Sequence, residues 1–335
     1  MPSEVAAGRC MGLGTYRFIL AALVVESHAT GPLIRHTWPL NPGIWAVAGF
    51  FVLSGYVMRR HAETLSPGQF YLDRFLRIYP HFVLFYVLSF VAVYGLLNTP
   101  APQLVSTPQG PAIGASLLVL PMAFANPILF GDAGKWISST LIVPQAWSLG
   151  IEASYYLLLP FIARAPRMRE MLFWTSLATF AASALNIIPP EYGYWWLPGT
   201  LWMFLLGYRL HDMSPTRIQS LGVCGLGIMV IAFALPFRQT PTVEVASGAL
   251  IAAAVIARLA KAPASGHDTF LASMSYSLFL CHYIPIWLGA SYLVIAVVSL
   301  GLAHLGAHLE MRIADFRRYI RARRLASQIP ASAVT

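Results

Sequence analysis

Residues 13–33 read LGTYRFILAALVVESHATGPL, a run apolar enough to enter a bilayer that nevertheless carries Arg17, Glu26 and His28. Hydrocarbon tolerates such groups only beside a partner or a water-filled cavity, so the stretch reads as a membrane helix with a chemical task. Nine further apolar runs follow, at about 43–59, 75–97, 145–163, 171–189, 195–211, 218–236, 243–259, 270–289 and 291–310. Hydrophobic residues make up 57% of the 335, charged residues only 10%, and the mean hydropathy is +0.64. That balance lies far from a soluble domain's and predicts an all-α integral membrane protein, a bundle of about ten transmembrane helices.

The connectors order the two sides. Arg59 with Arg60, Arg164 with Arg167 and Arg169, Arg217, Lys261 and the tail from Arg312 through Arg324 alternate with connectors poor in positive charge. Cytoplasmic loops collect Lys and Arg, so both termini are expected inside, with only Arg35, Lys135 and Arg238 in outer connectors and Arg17 within a span. The net charge of +9 thus reads as orientation in a membrane, not as a nucleic-acid footprint, because the basic residues are dispersed between apolar runs.

A further apolar run at 112–127 would reverse every later span if it crossed. It is therefore expected to be a re-entrant or interfacial segment on the outer side, within a connector from Asn98 to Pro144 punctuated by Pro100, Pro102, Pro108, Gly110, Pro111 and Gly114. A loop of that length suits an acceptor-binding role. The chain divides into a membrane domain, 1–311, and a basic cytoplasmic tail, 312–335. No cleavable leader is evident, since the first apolar run carries polar groups. Cys10, Cys224 and Cys281 lack ligand or redox spacing and read as packing residues, and no cluster of His, Cys and acidic residues suggests a metal.

The polar groups inside the spans carry the chemistry. Arg17 and His28 are 11 residues apart, roughly 16 Å along a helix axis. The fourth span enters from outside as PQAWSLGIE, residues 144–152, which sets Glu152 roughly 10 Å below its outer end. His28, counted from the outer end of its own run, falls at a similar depth. That places an imidazole and a carboxylate in one layer, where the carboxylate fixes the base's tautomer. Arg74 and Arg77, three residues apart on one helix face, suit phosphate oxygens, and with Arg17 they form a site for the nucleotide end of coenzyme A. Blander readings stand beside these: headgroup anchoring for Arg74 and Arg77, pairing with Arg35 for Glu152, and structural hydrogen bonding for His28 and His282.

Five segments in order give the chain a family resemblance. They are Arg17 with ten residues before His28; GFFVLSGY at 49–56; RFLRIYP at 74–80; Trp147-Ser148-Leu149 followed by Glu152 and Tyr155-Tyr156; and SYSLFL at 275–280 before His282. The set resembles the membrane acyltransferase family 3, which includes bacterial O-acetyltransferases of surface and exported saccharides. The resemblance implies acyl-CoA, with acetyl-CoA preferred, as co-substrate, a saccharide or glycolipid acceptor, and His28 as the catalytic histidine. Two positions depart from the pattern: Thr15 stands where an acidic residue often precedes the arginine, and Glu26 adds a carboxylate. No hydrolase-like segment follows the last span, so transfer is expected to be completed within the membrane domain.

The expected mechanism has Arg17, Arg74 and Arg77 hold acyl-CoA from the cytoplasm. His28, oriented by Glu152, takes a proton from an acceptor hydroxyl as it attacks the thioester. Ser148, Ser54, Tyr155, Trp147 and His282 are candidates for oxyanion or substrate contact. Direct transfer and a covalent acyl-histidine relay both fit the residues. The competing readings are acyl transfer to a small glycosylated metabolite in the cytoplasm, and a transporter or flippase that lines its path with Arg, Glu and His. A scaffold would leave the buried polar set without a purpose.

Overall fold

The computed structural model describes residues 12–29, 40–96, 110–138, 142–234, 241–263 and 265–326, and each described element is helical. In chain order these are α1 (Leu13–His28), α2 (Pro42–Thr64), α3 (Pro67–Phe90, continuing as a π-helical turn Val91–Leu96), α4 (Gly110–Leu117), a 3-10 turn Leu120–Phe124, α5 (Pro127–Ser138), α6 (Ala146–Ile162), α7 (Pro166–Ala184), a 3-10 turn Pro190–Gly193, α8 (Leu197–Arg209), α9 (Pro215–Ala234), α10 (Thr242–Leu259), α11 (Gly266–Cys281), α12 (Tyr283–Trp287) and α13 (Tyr292–Ala326). Each of the ten apolar runs falls mainly on a helix over its described residues. Among the described residues, α2, α3, α9, α10, the α11–α12 pair and α13 are six segments long and apolar enough to cross a membrane. The other four runs give α1, α6 and α8, of 16, 17 and 13 residues, and α7, whose first turns carry Arg167, Arg169 and Glu170.

Local signals set the helix starts. Asn41 accepts hydrogen bonds from the amides of Gly43 and Ile44 ahead of Pro42, and Ser66 with Gln69 forms a reciprocal capping box ahead of Pro67. The start of α1 is closed by another helix. Asp268 of α11 accepts from the backbone amides of Gly12, Gly14 and Thr15 and from the Thr15 hydroxyl, at 2.7–3.1 Å. The acid expected just before Arg17 in the chain is thus supplied from 250 residues away, with Thr15 as its ligand. Glu26, the other departure, is buried and accepts from the hydroxyl of Tyr292 on α13.

In the packing, α1 lies between α2 and α11, α11 touches α3 and α13, and α2 is backed by α8 and α10. The α2–α8 crossing is close enough to require glycine on both sides: a Cβ on Gly55 would overlap the carbonyl of Phe204, and one on Gly207 the carbonyl of Val52. By contrast α9 packs mainly on α10 and buries only 6% of its apolar window, the profile of a helix turned toward lipid. Cys281 is buried, Cys224 is exposed on α9, and Cys10 lies outside the described residues.

The run at 112–127 is not one helix. It is split among α4, the 3-10 turn and the start of α5, with Val119 at φ 64°, and Gly131 at φ 53° kinks α5 just beyond it. This irregular backbone leans on α6, where Gly150 admits the main chain of Met122 and Ala123, and on α3, where Tyr86 meets the Ser116 hydroxyl at 2.7 Å. Protein thus packs against this irregular backbone on two sides. The last helix runs unbroken for 35 residues, past position 311, so the first turns of the basic tail continue the membrane helix.

Candidate active site

The site begins with α1, because Arg17 near its start and His28 at its last residue are fixed on one rigid rod roughly 16 Å apart. Around Arg17 the bundle encloses a cavity of about 400 Å³. From α3 come Arg74 and Arg77, from α2 Ser54 and His61, from α6 Ser148, Glu152 and Tyr156, from α11 Tyr276 and Phe279, and from α13 Glu310 and Arg317. Spacing of three on α3 and of four on α6 brings these side chains to one face of each helix.

Carboxylates hold the guanidinium groups in place. Asp73 pairs with Arg74 and takes a fork from Arg317, whose Nε and Nη2 lie 3.0 and 2.9 Å from Oδ1. Glu310 pairs with Arg77. Arg17 lies within electrostatic reach of Glu152, Tyr156 and Arg74. Arg74 also sits over the ring of Tyr156 at 5.8 Å, and its Nε is buried without a hydrogen-bond acceptor.

His28 stands elsewhere. It is exposed, and its Nδ1 lies 3.2 Å from Nε2 of His282, with the two rings stacked at 5.3 Å and Tyr283 tilted against His28 at 5.1 Å. His282 is fully buried, and its Nδ1 faces the carbonyl of Leu278 at 3.3 Å. A carbonyl only accepts, so Nδ1 of His282 carries the proton and its Nε2 offers a lone pair. His28 then donates from Nδ1, which leaves Nε2 of His28 as its basic nitrogen. The link between the two regions is Phe279, which lines the cavity and packs on His282 at 6.4 Å and edge-on to Phe50 at 6.4 Å.

The structure therefore assembles Arg17, Arg74, Arg77, Ser54, Ser148 and Glu152 in one cavity, and His28 with His282 in another place. The expected layer shared by His28 and Glu152 is corrected. Glu152 accepts from the hydroxyls of Ser54 and Tyr156, inside the arginine cavity. The miscount has a physical origin: α1 closes at His28, with Ala29 already extended, so His28 is at the helix end and not two turns beneath it. The neighbour of the histidine pair on α6 is Gln145, whose amide donates to the carbonyls of Phe279 and Leu280 at 2.8 and 3.0 Å, and Glu152 follows seven residues further in.

Two other candidates are relocated. Tyr155 is fully buried and stacks on Phe204 at 4.2 Å between α6 and α8, so its hydroxyl faces the core and not the cavity. Trp147 packs against Tyr194 at 5.1 Å and Trp195 at 6.2 Å, outside the cavity lining. Arg35 and Arg238 lie outside the described residues, as does the side chain of Lys135. The residues that sequence reasoning passed over are Tyr156, Asp73, Glu310 and Arg317. Tyr156 had a usable signal, its spacing of four from Glu152, and Glu310 with Arg317 had theirs, seven residues or two helical turns apart.

Residues 13–307 match the acyltransferase domain family known as membrane acyltransferase family 3, and the chain belongs to it. A protein of Aquifex aeolicus (strain VF5) named only as uncharacterized is 30% identical over 157 residues, covering 44% of this chain and 71% of its own. No solved structure matches the chain significantly. The protein is thus a membrane acyltransferase with apolar helices suited to a multi-pass arrangement.

Proposed function

We propose that the protein is an acyl-CoA-dependent O-acyltransferase that moves an acyl group, acetyl by preference, to a hydroxyl of an exported or surface saccharide. The observation that carries this reading is the division of one helix, α1, between a guanidinium cavity at Arg17 and an exposed imidazole at His28, with Phe279 the wall common to both. The donor's phosphates occupy the cavity from the cytoplasmic side beside Arg17, Arg74 and Arg77. Its thioester arm, long enough to bridge the axial gap, runs along α1 toward His28. The ten apolar runs are ten spans, both termini are cytoplasmic, and the 112–127 segment lies on the outer side next to the acceptor.

In the reaction, Nε2 of His28 removes the proton of the acceptor hydroxyl as its oxygen attacks the thioester carbonyl. Coenzyme A leaves as thiolate and takes up a proton. His282, in the neutral tautomer set by Leu278, accepts the Nδ1 proton of His28 in a hydrogen bond and stabilises the imidazolium that forms. Glu152 does not serve the base; with Ser54 and Tyr156 it partners Arg17 on the donor side. The test is incorporation of labelled acetyl from acetyl-CoA into saccharide by purified protein in oriented vesicles. Label transfer with donor on the cytoplasmic face and acceptor on the other supports the reading. Transfer only when both share the cytoplasmic face replaces it with acylation of a cytoplasmic metabolite, and movement of intact saccharide without thioester cleavage replaces it with transport.

A further inference from the structure

Gln145 stands at the head of α6, yet its side chain bonds only to another helix. It is 3% exposed, and its Nε2 donates to the carbonyls of Phe279 and Leu280 on α11 at 2.8 and 3.0 Å, while its Oε1 is buried with no hydrogen-bond partner. Those carbonyls belong to the last turn of α11, where a helix runs out of its own amide donors. A third carbonyl of that turn, that of Leu278, faces Nδ1 of His282 at 3.3 Å. His282 occupies the joint between α11 and α12, and Pro285 has no amide to return to the carbonyl of Cys281, so the hydrogen-bond ladder is not carried intact across the joint. On the far side, Nε1 of Trp287 donates to the carbonyl of Ile142 at 3.1 Å. The short segment 142–145 thus grips the chain before and after His282.

Building on the acyl-CoA reading, we propose that Gln145 is a positioning residue for the reaction, which acts through His282 to hold His28 in its reactive orientation. Nδ1 of His28 and Nε2 of His282 are 3.2 Å apart, at the long end of the hydrogen-bond range, so a shift of a few tenths of an ångström in the turn that carries His282 loses the bond. Gln145 fixes that turn against α6, because both hydrogens of its amide are spent on the two carbonyls that precede the joint. The same link joins the two regions of the site. From α6 come Ser148 and Glu152 of the cavity, and from α11 the turn that presents His282 to the base. Gln145 then keeps base and donor cavity in register.

The experiment follows thiol release from acetyl-CoA in membrane vesicles of the cells that make the protein, with their own saccharides as acceptor, for the wild type, Gln145→Met, His282→Ala and the double variant. Gln145→Met keeps the side chain's length and removes both donors. It is expected to lower kcat about tenfold with an unchanged donor KM, and to move the pH profile to that of His282→Ala. In the His282→Ala background it is expected to lower kcat no further, because two residues that act through one contact are not additive. Gln145→Glu, which keeps the shape and turns an acceptor toward the same carbonyls, is the deciding variant if the methionine protein fails to fold. A raised donor KM, an unchanged kcat, or the same fall in kcat in both backgrounds makes Gln145 a packing residue and overturns the proposal while leaving the acyl-CoA reading intact. A His282→Ala protein equal to the wild type overturns it too, since nothing is left for Gln145 to act through. A wild type that releases no thiol brings down the acyl-CoA reading and this inference together.

Discussion

The arginine cavity and the histidine pair sit on the same helix and are built on opposite terms. The cavity is a crowded ionic network in which Arg74, Arg77 and Arg317 already have carboxylate partners, drawn from α3 and α13. The histidine pair is joined by hydrogen bonds that run from His28 to His282 and on to a backbone carbonyl. The difference teaches what each can do. A network of fixed charges binds and orients an anion at little reorganisation cost, whereas a neutral imidazole with a defined tautomer can accept a proton.

The sharpest break between the two is made by His28→Ala. Acyl transfer should fall by 10²–10⁴-fold or more, the range of a lost general base, while coenzyme A affinity measured on the same protein stays at the wild-type value. Retained turnover would remove His28 from the chemistry. His282→Ala should leave donor binding untouched and lower kcat less severely, with the kinetic pKa of the base moved. A kcat and pH profile equal to wild type would show that the tautomer chain is decorative.

Changes in the cavity should have the converse signature. Arg74→Ala is expected to raise the donor KM by about 10–100-fold, the effect of losing a charge-assisted hydrogen bond of ~1.5–3 kcal/mol, with a smaller effect on kcat. An equal loss in kcat and kcat/KM would place Arg74 in the transition state. The rod that joins the regions can be tested through its cap: Asp268→Ala removes the acceptor of three amides at the start of α1 and should cost about 1–2 kcal/mol of stability, read as a lower melting temperature in detergent. Gly55→Ala, which drives a methyl into Phe204, should cost about 1–3 kcal/mol without any selective effect on donor or acceptor.

The smallest effect lies outside both regions. Asp212, beyond the end of α8, accepts from Arg59 at 2.5 Å, and that hydrogen bond holds its carboxyl below the usual aspartate range. Its contribution to stability is complete above the ordinary aspartate pKa and fades as pH falls through the depressed one. Asp212→Asn should therefore lower stability slightly near neutrality, where the contribution is complete, and flatten the acid limb, the two proteins converging at low pH.

Much of this could be read from residue order. The all-helical state was legible because backbone groups in hydrocarbon must bond within the segment, a local rule that hydropathy reports directly, and six of the described helices are long and apolar enough to obey it. Arg17, Arg74 and Arg77 came together as their burial and spacing suggested. Depth along a helix was less legible, since it depends on where the helix ends: the run around residues 13–33 stays apolar beyond His28, yet α1 stops there, and Glu152 lies in the arginine cavity and not beside His28.

What the sequence settles by itself, then, is the apolar, helical character of the chain and the polar residues that must find partners. Which partner each one finds was decided by the tertiary structure. Adjacent residues on a helix point about 100° apart, so rotation alone sends Tyr155 into the core and Tyr156 into the cavity. Contacts such as Asp268 with Thr15 at the start of α1, or Arg317 with Asp73, join positions 253 and 244 residues apart, and no periodicity along the chain encodes the rotation and crossing of the helices that bring them together.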